Sequence, residues 1–417
     1  MAAVDGKRLE RGGLEVIDTH IALSDALGRL EEGTGPIAID TERASGYRYS
    51  DRAYLIQIFR RGTGTLLIDP IPFGSLKSVT EVIADDEWIL HAATQDLPCM
   101  RDIGLEPTRM FDTELAARLL GMDRVGLGAV VQELLGIELA KAHSADDWSV
   151  RPLPKEWLAY AALDVELLVD MRDELAKRLV DAGKADWALE EFEDELRRPL
   201  NPVKHLTLEP DADPERWRAL SGVHQLRSPR ALSIARELWL SRDAYARETD
   251  TAPGRIVPDR AVLAVAKAQP RSRGQLSAMS DFTGKQSRSQ LDRWWAAVAA
   301  GRENPVPPKR AAPDANRVPP IKAWEQKRPE AFTRISAARP AVAELAEELH
   351  LPTENLLTPS LLRQLAWDGT AETESEIRTE LSNLGARQWQ VDMTAPVIAR
   401  SFVEAAQGAT DSDISSR

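Results

Sequence analysis

Short apolar runs separated by turn-forming residues predict that the chain opens with β-strands. Three of these runs follow one another closely, at 36–42, 54–59 and 64–69, which is typical of an antiparallel meander. A fourth run at 87–91 predicts a short buried strand. We therefore expect a β-sheet in the first part of the chain.

Helical periodicity appears between and after these strands. Apolar residues three and four positions apart predict helices over 75–86, from Asp96 onward, over 113–120 and over 155–181. Strands that alternate with helices indicate an α/β fold, in which helices flank a mixed sheet.

Strand signals disappear after about residue 213, and only helical patterns remain. The proline-rich stretch 301–320 has no periodicity and predicts an extended linker, and the small polar residues from Gln407 predict a disordered tail. We predict an α/β domain, an all-α domain, the linker, a second all-α domain and the tail. Their predicted boundaries are 1–210, 211–300, 301–320, 321–405 and 406–417.

Charge is distributed unevenly along the 417 residues, whose net charge is −13. Residues 1–210 contain 24 Lys and Arg against 39 Asp and Glu, whereas residues 211–300 contain 15 against 10 and residues 301–417 contain 14 against 17. An acidic region can act on a polyanion when bound cations neutralise its carboxylates. The basic middle segment then offers a surface for phosphates.

Composition also bears on the cellular location of the protein and on the kinds of site that it can form. Cys99 is the single cysteine, so no intramolecular disulfide or cysteine-based metal site can form, and a reducing, cytoplasmic location fits. The charged N-terminus does not resemble a signal peptide. No apolar run approaches the roughly 18 residues that cross a bilayer, so we expect no membrane partner.

Acidic residues stand at two junctions between predicted elements. Asp40 and Glu42 are two apart in a strand and point to one face, where their carboxylates can share a hard cation. Asp96 begins a helix after the strand that ends at His91, so it is either a helix cap or a further ligand. Taken singly, these acidic residues also fit ordinary surface or capping positions, and His91 is best explained as structural.

A third element completes the pattern. Tyr160 and Asp164 are four residues apart and share one face of a predicted helix. Four carboxylates and a tyrosine in this order describe a two-metal phosphodiester site. Four like charges in one pocket repel one another, so they need cations to stay ionised together.

The segments around these residues resemble the ribonuclease D group of the DnaQ-like exonucleases, in its tyrosine subclass. The resemblance covers about residues 36–175 and rests on AIDTE, YLIQI, LLIDP, HAATQDL, FDTELAARLLG, DDWSVRPLP and YAALDVELL. It implies a ribonuclease H-like mixed sheet. It also implies a 3′→5′ exoribonuclease that releases 5′-mononucleotides from RNA 3′ ends, such as those of tRNA precursors.

The same resemblance implies roles for the five residues. The four carboxylates of Asp40, Glu42, Asp96 and Asp164 would bind two divalent cations, Mg²⁺ or Mn²⁺, and no organic cofactor is implied. Tyr160 would orient the attacking water or help to deprotonate it. Orientation is the favoured role, because a free tyrosine has a pKa near ~10.

The basic segment at about 213–295 resembles the HRDC domain, a nucleic-acid-binding helical module of RecQ helicases and ribonuclease D. The resemblance rests on LRSPRALSIARELWLSRDAYARETDTAPGRIVPDRAVLAVA. It implies that arginines of this segment contact RNA phosphates. The candidates are Arg227, Arg230, Arg236, Arg242, Arg255, Arg260, Arg271 and Arg273. Residues 321–405 resemble the second helical domain of ribonuclease D, for which we expect no strong RNA affinity.

Several other residues of the matching segments have plainer interpretations. Asp112 is expected to cap a helix, Arg151 to fix the loop before the last helix, and Gln57 to present a solvated amide from a strand. Trp217 and Trp239 are expected in a hydrophobic core.

Other functions stay open on the residues alone. One is a DNA 3′→5′ exonuclease, because nothing in the motifs recognises a 2′-hydroxyl and a fold does not settle a substrate. Another is a non-catalytic nucleic-acid-binding adaptor, although the carboxylates that such a protein would have lost are present. A third is a nuclease that a partner delivers to its substrate.

Overall fold

The computed structural model describes residues 14–139, 143, 145–199, 215–309, 318–371 and 373–415. Residues 200–214 and 310–317, which contain the first predicted domain boundary and eight of the twenty residues of the predicted linker, lie outside the described residues. The predicted domain boundaries therefore stay predictions.

Within the described residues, six strands form one mixed sheet in the order β1-β4-β3-β2-β5-β6. The strands are β1 Val16–Ile17, β2 Thr34–Arg43, β3 Ala53–Arg61, β4 Gly64–Ile68, β5 Glu87–Leu90 and β6 Arg109–Asp112. Strands β2, β3 and β4 form the predicted antiparallel meander, and β5 lies parallel to both β2 and β6. The predicted α/β class with a mixed sheet is confirmed.

Helices cover both faces of this sheet. They are α1 His20–Glu32, α2 Lys77–Val82, α3 Leu97–Asp102, α4 Thr113–Leu119, α5 Leu127–Leu135, α6 Lys155–Glu166, α7 Leu168–Asp181 and α8 Ala185–Arg197. The prediction of one helix over 155–181 is corrected, because α6 ends and α7 begins at Leu167. The predicted helix over 75–86 is also shorter in the structure, where α2 has six residues.

The alternation of side chains along the strands gives the sheet two different faces. Ile56 and Ile58 of β3 belong to the large core on one face. Leu55 of β3 and Leu67 of β4 point to the opposite face, where they pack against Ala161 of α6. This second face also carries the Asp40 and Glu42 carboxylates of β2, so α6 lies over these two side chains.

Two all-α regions follow and share one plan. The first contains α9 Pro229–Glu248, α10 Pro253–Ile256, α11 Asp259–Ala268, α12 Arg273–Ser277, α13 Lys285–Ser289 and α14 Leu291–Glu303. The second contains α15 Trp324–Lys327, α16 Pro329–Glu348, α17 Thr353–Leu356, α18 Pro359–Asp368, α19 Glu374–Asn383 and α20 Gln388–Ser415. In both, a helix of 20 residues is followed by helices of 4 and 10 residues.

The last helix differs from the prediction of a disordered tail after residue 406. Helix α20 continues to Ser415. The segment has alanine at 405, 406 and 409 and no proline, and alanine has the highest helix propensity.

The two all-α regions contact the α/β region in different ways. The first has its own core, which includes Trp217 and Trp239 as predicted and which Tyr49 of the α/β region joins. The second shares a continuous core with the sheet, and Trp187 of α8 stacks on Trp389 of α20 with ring centroids 4.7 Å apart. No helix in the described part of the chain has the length and apolarity to cross a bilayer.

Candidate active site

All five residues predicted to form a catalytic site line one cavity of about 360 Å³ on the face of the sheet covered by α6. Its lining consists of Asp40, Thr41, Glu42, Arg43, His91, Ala92, Gln95, Asp96, Glu114, Gly126, Leu127, Tyr160, Asp164 and Leu168. Residues far apart in the sequence therefore meet where β2, the segment after β5 and α6 converge.

Three of the carboxylates form a tight group. Oxygen atoms of Asp40, Glu42 and Asp164 all lie within 4.8 Å of one another. Asp40 and Glu42 share one face of β2 because they are two residues apart, and α6 brings Asp164 across that face. Three carboxylates this close offer the oxygen ligands that hard divalent cations take.

Asp96 lies in the same cavity but outside this group of three. Its carboxylate accepts a 2.7 Å hydrogen bond from Thr41 Oγ1 and lies 3.7 Å from the Arg43 guanidinium. It precedes α3 without making a side-chain capping hydrogen bond. The alternative of a helix cap is therefore not what the structure contains, and the carboxylate of Asp96 faces the cavity.

Asp112 holds the segment that carries Asp96. Its carboxylate caps α4 by accepting from the N–H groups of Glu114 and Leu115, as predicted. It also accepts from the N–H groups of Ala92 and Ala93, at 3.1 and 2.6 Å. These bonds fix Ala92 in a left-handed conformation, with φ 59°, that non-glycine residues rarely adopt. The helix cap predicted from sequence is thus also an anchor for the chain that leads to Asp96.

The carboxylates raise one another's pKa in the absence of cations. Burial, together with the neighbouring Asp40, Asp164 and Asp96, raises the pKa of Glu42 to about 10. Burial, Asp96 and Asp164 raise the pKa of Asp40 well above its ordinary value.

For the other two carboxylates the cause is chiefly burial, which raises the pKa of Asp164 to about 7 and that of Asp96 to about 6. Because like charges in a shared pocket cannot all ionise without compensation, this donor set fits bound divalent cations.

Tyr160 lies beside the three-carboxylate group. Burial and the nearby carboxylates, Asp164 first among them, raise the pKa of its hydroxyl above the ordinary value. The His143 ring meets the Tyr160 ring edge-on at 5.8 Å, and His143 Nδ1 lies 2.7 Å from Asp146. Sequence analysis did not single out His143, and its only signal was its position just before DDW.

Arg43, Gln95 and Glu114 also line the cavity and were not predicted. In the sequence, Arg43 follows Glu42, Gln95 precedes Asp96, and Glu114 lies two residues after Asp112. This proximity was the available signal. His91 Nδ1 lies 2.9 Å from Thr113 Oγ1, which is consistent with a structural role, and its ring also contributes to the cavity wall.

Arg151 has the structural role that was expected of it. Its guanidinium bonds both carboxylate oxygens of Asp69 and the carbonyl oxygen of Tyr54, which ties the loop before α6 to the sheet.

The sequence is similar to known exonucleases over all three regions. A model of the 3′-5′ exonuclease family matches residues 14–180, the HRDC domain model matches 231–298, and a model of a 3′ to 5′ exonuclease C-terminal domain matches 317–402. Ribonuclease D of Serratia proteamaculans is 32% identical over 272 residues, which cover 64% of this chain and 70% of that protein. The chain belongs to the ribonuclease D family.

Two further comparisons extend over most of the chain. Ribonuclease D of Xanthomonas oryzae is 29% identical over 342 residues, which cover 79% of this chain and 87% of that protein. A crystal structure of a protein from Bifidobacterium adolescentis is 36% identical and superposes with a TM-score of 0.81, covering 94% of this chain and 98% of that one.

Membership of the ribonuclease D family settles the reaction class. The protein is a 3′→5′ exoribonuclease with an HRDC region. Its catalytic fold is ribonuclease H-like, and its acidic cluster fits a family that uses divalent metals. The alternative of a non-catalytic adaptor is not supported.

The structure separates six arginine candidates of the HRDC region into those available to RNA and those that already have partners within the protein. Arg227 and Arg260 are exposed and have no hydrogen-bond or ion-pair partner among the described residues. Three others are already engaged: Arg230 with the carbonyl oxygens of Arg302 and Asn304, Arg236 with Glu237, and Arg255 with the carbonyl oxygen of Gly46.

The prediction that Arg242 contacts phosphate needs correction. Its side chain is 4% exposed. It donates to the carbonyl oxygen of Val257 and to Asp259, at 2.8 and 2.7 Å. A buried and fully engaged guanidinium holds the HRDC helices together and is not available to RNA.

Proposed function

We propose that this exoribonuclease removes 5′-mononucleotides from the 3′ tails of structured RNAs such as tRNA precursors. We further propose that Asp40, Glu42, Asp96, Asp164 and Tyr160 are its catalytic residues. The observation that carries this proposal is the group of three carboxylates within 4.8 Å, with Asp96 and Tyr160 in the same cavity wall.

The donor set favours two divalent cations, Mg²⁺ or Mn²⁺, since both prefer carboxylate oxygen. Asp40, Glu42 and Asp164 would hold one of them. Asp40 and Asp96 would share the other, because both line the same cavity and Asp96 lies outside the group of three. When bound, the pair of cations supplies Lewis-acid activation of the attacking water and stabilises the leaving oxygen.

The role of Tyr160 is to orient the attacking water through its hydroxyl group. A raised pKa keeps the phenol protonated at neutral pH, so it acts as a hydrogen-bonding group and not as a base. Its position one helical turn before Asp164 on α6 places the phenol beside the carboxylates before substrate arrives.

RNA capture is assigned to the basic region that follows the acidic catalytic region. Arg227 and Arg260 are the candidates that have their guanidinium groups available for phosphates. Of the predicted domains 1–210, 211–300 and 321–405, the first would carry out catalysis and the second RNA capture. A cytoplasmic location suits both an RNA substrate and the free Cys99.

The catalytic proposal is tested with a 3′-extended tRNA precursor, in Mg²⁺, in Mn²⁺ and in EDTA. We expect stepwise shortening with either cation, no reaction in EDTA, and near-complete loss of activity in Asp164→Asn. A matched pair of RNA and DNA oligomers with free 3′ ends measures the substrate preference. Full activity in EDTA or in Asp164→Asn would contradict the proposed site, and faster digestion of DNA would contradict the proposed substrate.

The capture proposal is tested by the salt dependence of RNA binding. Arg227→Ala and Arg260→Ala should weaken binding for all RNA sequences and reduce the slope of log K against log salt, by roughly one for each phosphate that the protein no longer neutralises. Arg339→Ala is the matched control, because Arg339 is exposed on α16, where no strong RNA affinity is expected. Unchanged binding in both HRDC variants would place RNA capture elsewhere.

A further inference from the structure

Gln57 in the middle of β3 is buried without a partner. Its residue exposure is 0%, although sequence analysis predicted a solvated amide. Neither Oε1 nor Nε2 makes a hydrogen bond within the described part of the chain. Buried polar groups in native proteins are nearly always paired, so a wholly buried amide of this kind calls for an explanation.

The strand register identifies the polar group next to Gln57. Gln57 lies directly opposite Asp40 in the antiparallel pair of β3 with β2. Directly opposed residues project from the same face with Cβ atoms roughly 4.5–5.5 Å apart. The amide of Gln57 is therefore within side-chain reach of the Asp40 carboxylate.

Apolar groups border Gln57 on its other sides. Leu67 of β4 is its partner across the second register, and Leu55 is its neighbour on the same face of β3. Both leucines pack under α6 with Ala161. Beside these leucines, the Asp40 carboxylate is the polar group directly opposite Gln57.

Asp96 differs from Asp40 in its support, because it accepts a hydrogen bond from Thr41 Oγ1. Among the described residues, no side chain donates a hydrogen bond to Asp40. Carboxylates that bind metals are usually oriented by such donors, so the position beside Asp40 is where one is expected.

We propose that Gln57 is a positioning residue, whose Nε2–H donates to the Asp40 carboxylate when divalent cations are bound. This inference rests on the proposed function, in which Asp40 is a metal ligand. One carboxylate oxygen of Asp40 would then be free to bind a cation while the other accepts from the amide.

The decisive variant is Gln57→Met, which keeps the volume of the side chain and removes the amide. Its thermal midpoint without divalent cations should equal or exceed that of the wild type, because an unpaired buried amide is lost. Its dissociation constant for Mn²⁺, measured by calorimetry, should rise about 10- to 100-fold. The rate of hydrolysis of a short RNA should fall as the affinity for Mn²⁺ falls. A purely structural residue would show the reverse pattern, with lower stability and unchanged Mn²⁺ affinity.

Unchanged Mn²⁺ affinity in folded Gln57→Met would overturn the proposal. If Gln57→Met does not fold, Gln57→Leu replaces it, because leucine is apolar and has no amide to donate to Asp40; wild-type Mn²⁺ affinity there would equally overturn the inference. Asp40→Asn is measured alongside. Wild-type Mn²⁺ binding by Asp40→Asn would mean that the ligand assignment itself fails, whatever the Gln57 variants do.

Discussion

The hydroxyl of Thr41 donates a 2.7 Å hydrogen bond to Asp96, although Thr41 points away from its strand neighbours Asp40 and Glu42. One strand therefore presents two carboxylates on one face and, from the other face, supports a third. Thr41 Oγ1 also lies 3.4 Å from Cys99 Sγ, and both groups are buried. The bond links β2 to the segment after β5 at the point where both reach the cavity.

Replacement of Thr41 by valine should lower activity without unfolding the protein. Valine keeps the shape of threonine but leaves the Asp96 carboxylate without its donor, and a hydrogen bond to a charged group contributes about 1.5–3 kcal/mol. We expect kcat/KM on a short RNA to fall about 10- to 100-fold. Thr41→Ser keeps the hydroxyl and should retain most activity. Equal activity of the valine and serine variants would contradict this role.

Tyr160→Phe should cause a large but incomplete loss of rate. The ring and its contact with His143 remain, while the hydroxyl near the Asp164 carboxylate is removed. We expect kcat to fall about 100-fold, because positioning of a reactant has effects of this size. The measurement is single-turnover hydrolysis at saturating Mg²⁺. Tyr245→Phe in the HRDC region controls for removal of a hydroxyl, and a fully active Tyr160→Phe enzyme would remove the phenol from the mechanism.

Glu195 of α8 should make stability depend on pH. Burial and the adjacent Asp112 carboxylate raise the pKa of Glu195 from 4.5 to about 8. The folded protein thus keeps a proton that the unfolded chain releases. The stabilisation is complete below about pH 4.5 and is lost as the pH rises towards about 8.

The matching variant is Glu195→Gln, which resembles the protonated acid. Its thermal midpoint should equal that of the wild type at pH 5 and exceed it at pH 8.5. The corresponding gain in the free energy of unfolding at pH 8.5 should be on the order of a few kcal/mol. Scanning calorimetry across this pH range measures the difference. Glu193→Gln, an exposed position on the same helix, is the control. A parallel pH dependence of wild type and Glu195→Gln would refute the assignment.

Tyr49 should couple the α/β region to the HRDC region energetically. Its hydroxyl donates to both carboxylate oxygens of Asp243, at 3.0 and 3.1 Å, and its backbone N–H donates to Asp250. Tyr49→Phe should destabilise the protein by about 1–3 kcal/mol, because a buried charged acceptor loses a donor. A double-mutant cycle with Asp243→Asn measures the coupling. Tyr47→Phe is the control, since its ring contact with Arg255 is kept, and additive effects in the cycle would contradict the coupling.

Local periodicity in the sequence was sufficient to predict the features that depend on residues close together in the chain. The i, i+2 spacing of Asp40 and Glu42 and the i, i+4 spacing of Tyr160 and Asp164 determine which side chains share a face. The meander β2-β3-β4 and the two all-α regions were predicted on the same basis. Strands β1 and β6 and helices α1, α5 and α8 were not predicted.

Tertiary structure decided the burial and the partners of side chains. Gln57 is buried because α6 covers its face of the sheet, and Arg242 is engaged because α11 brings Asp259 to it. Asp112 reaches Ala92 and Ala93 because β6 lies beside β5. Such contacts join residues that are 15 or more positions apart, so no local pattern encodes them. The sequence by itself determined which chemical groups share a face, and only the packing of α6 on the sheet decided that they form one cavity.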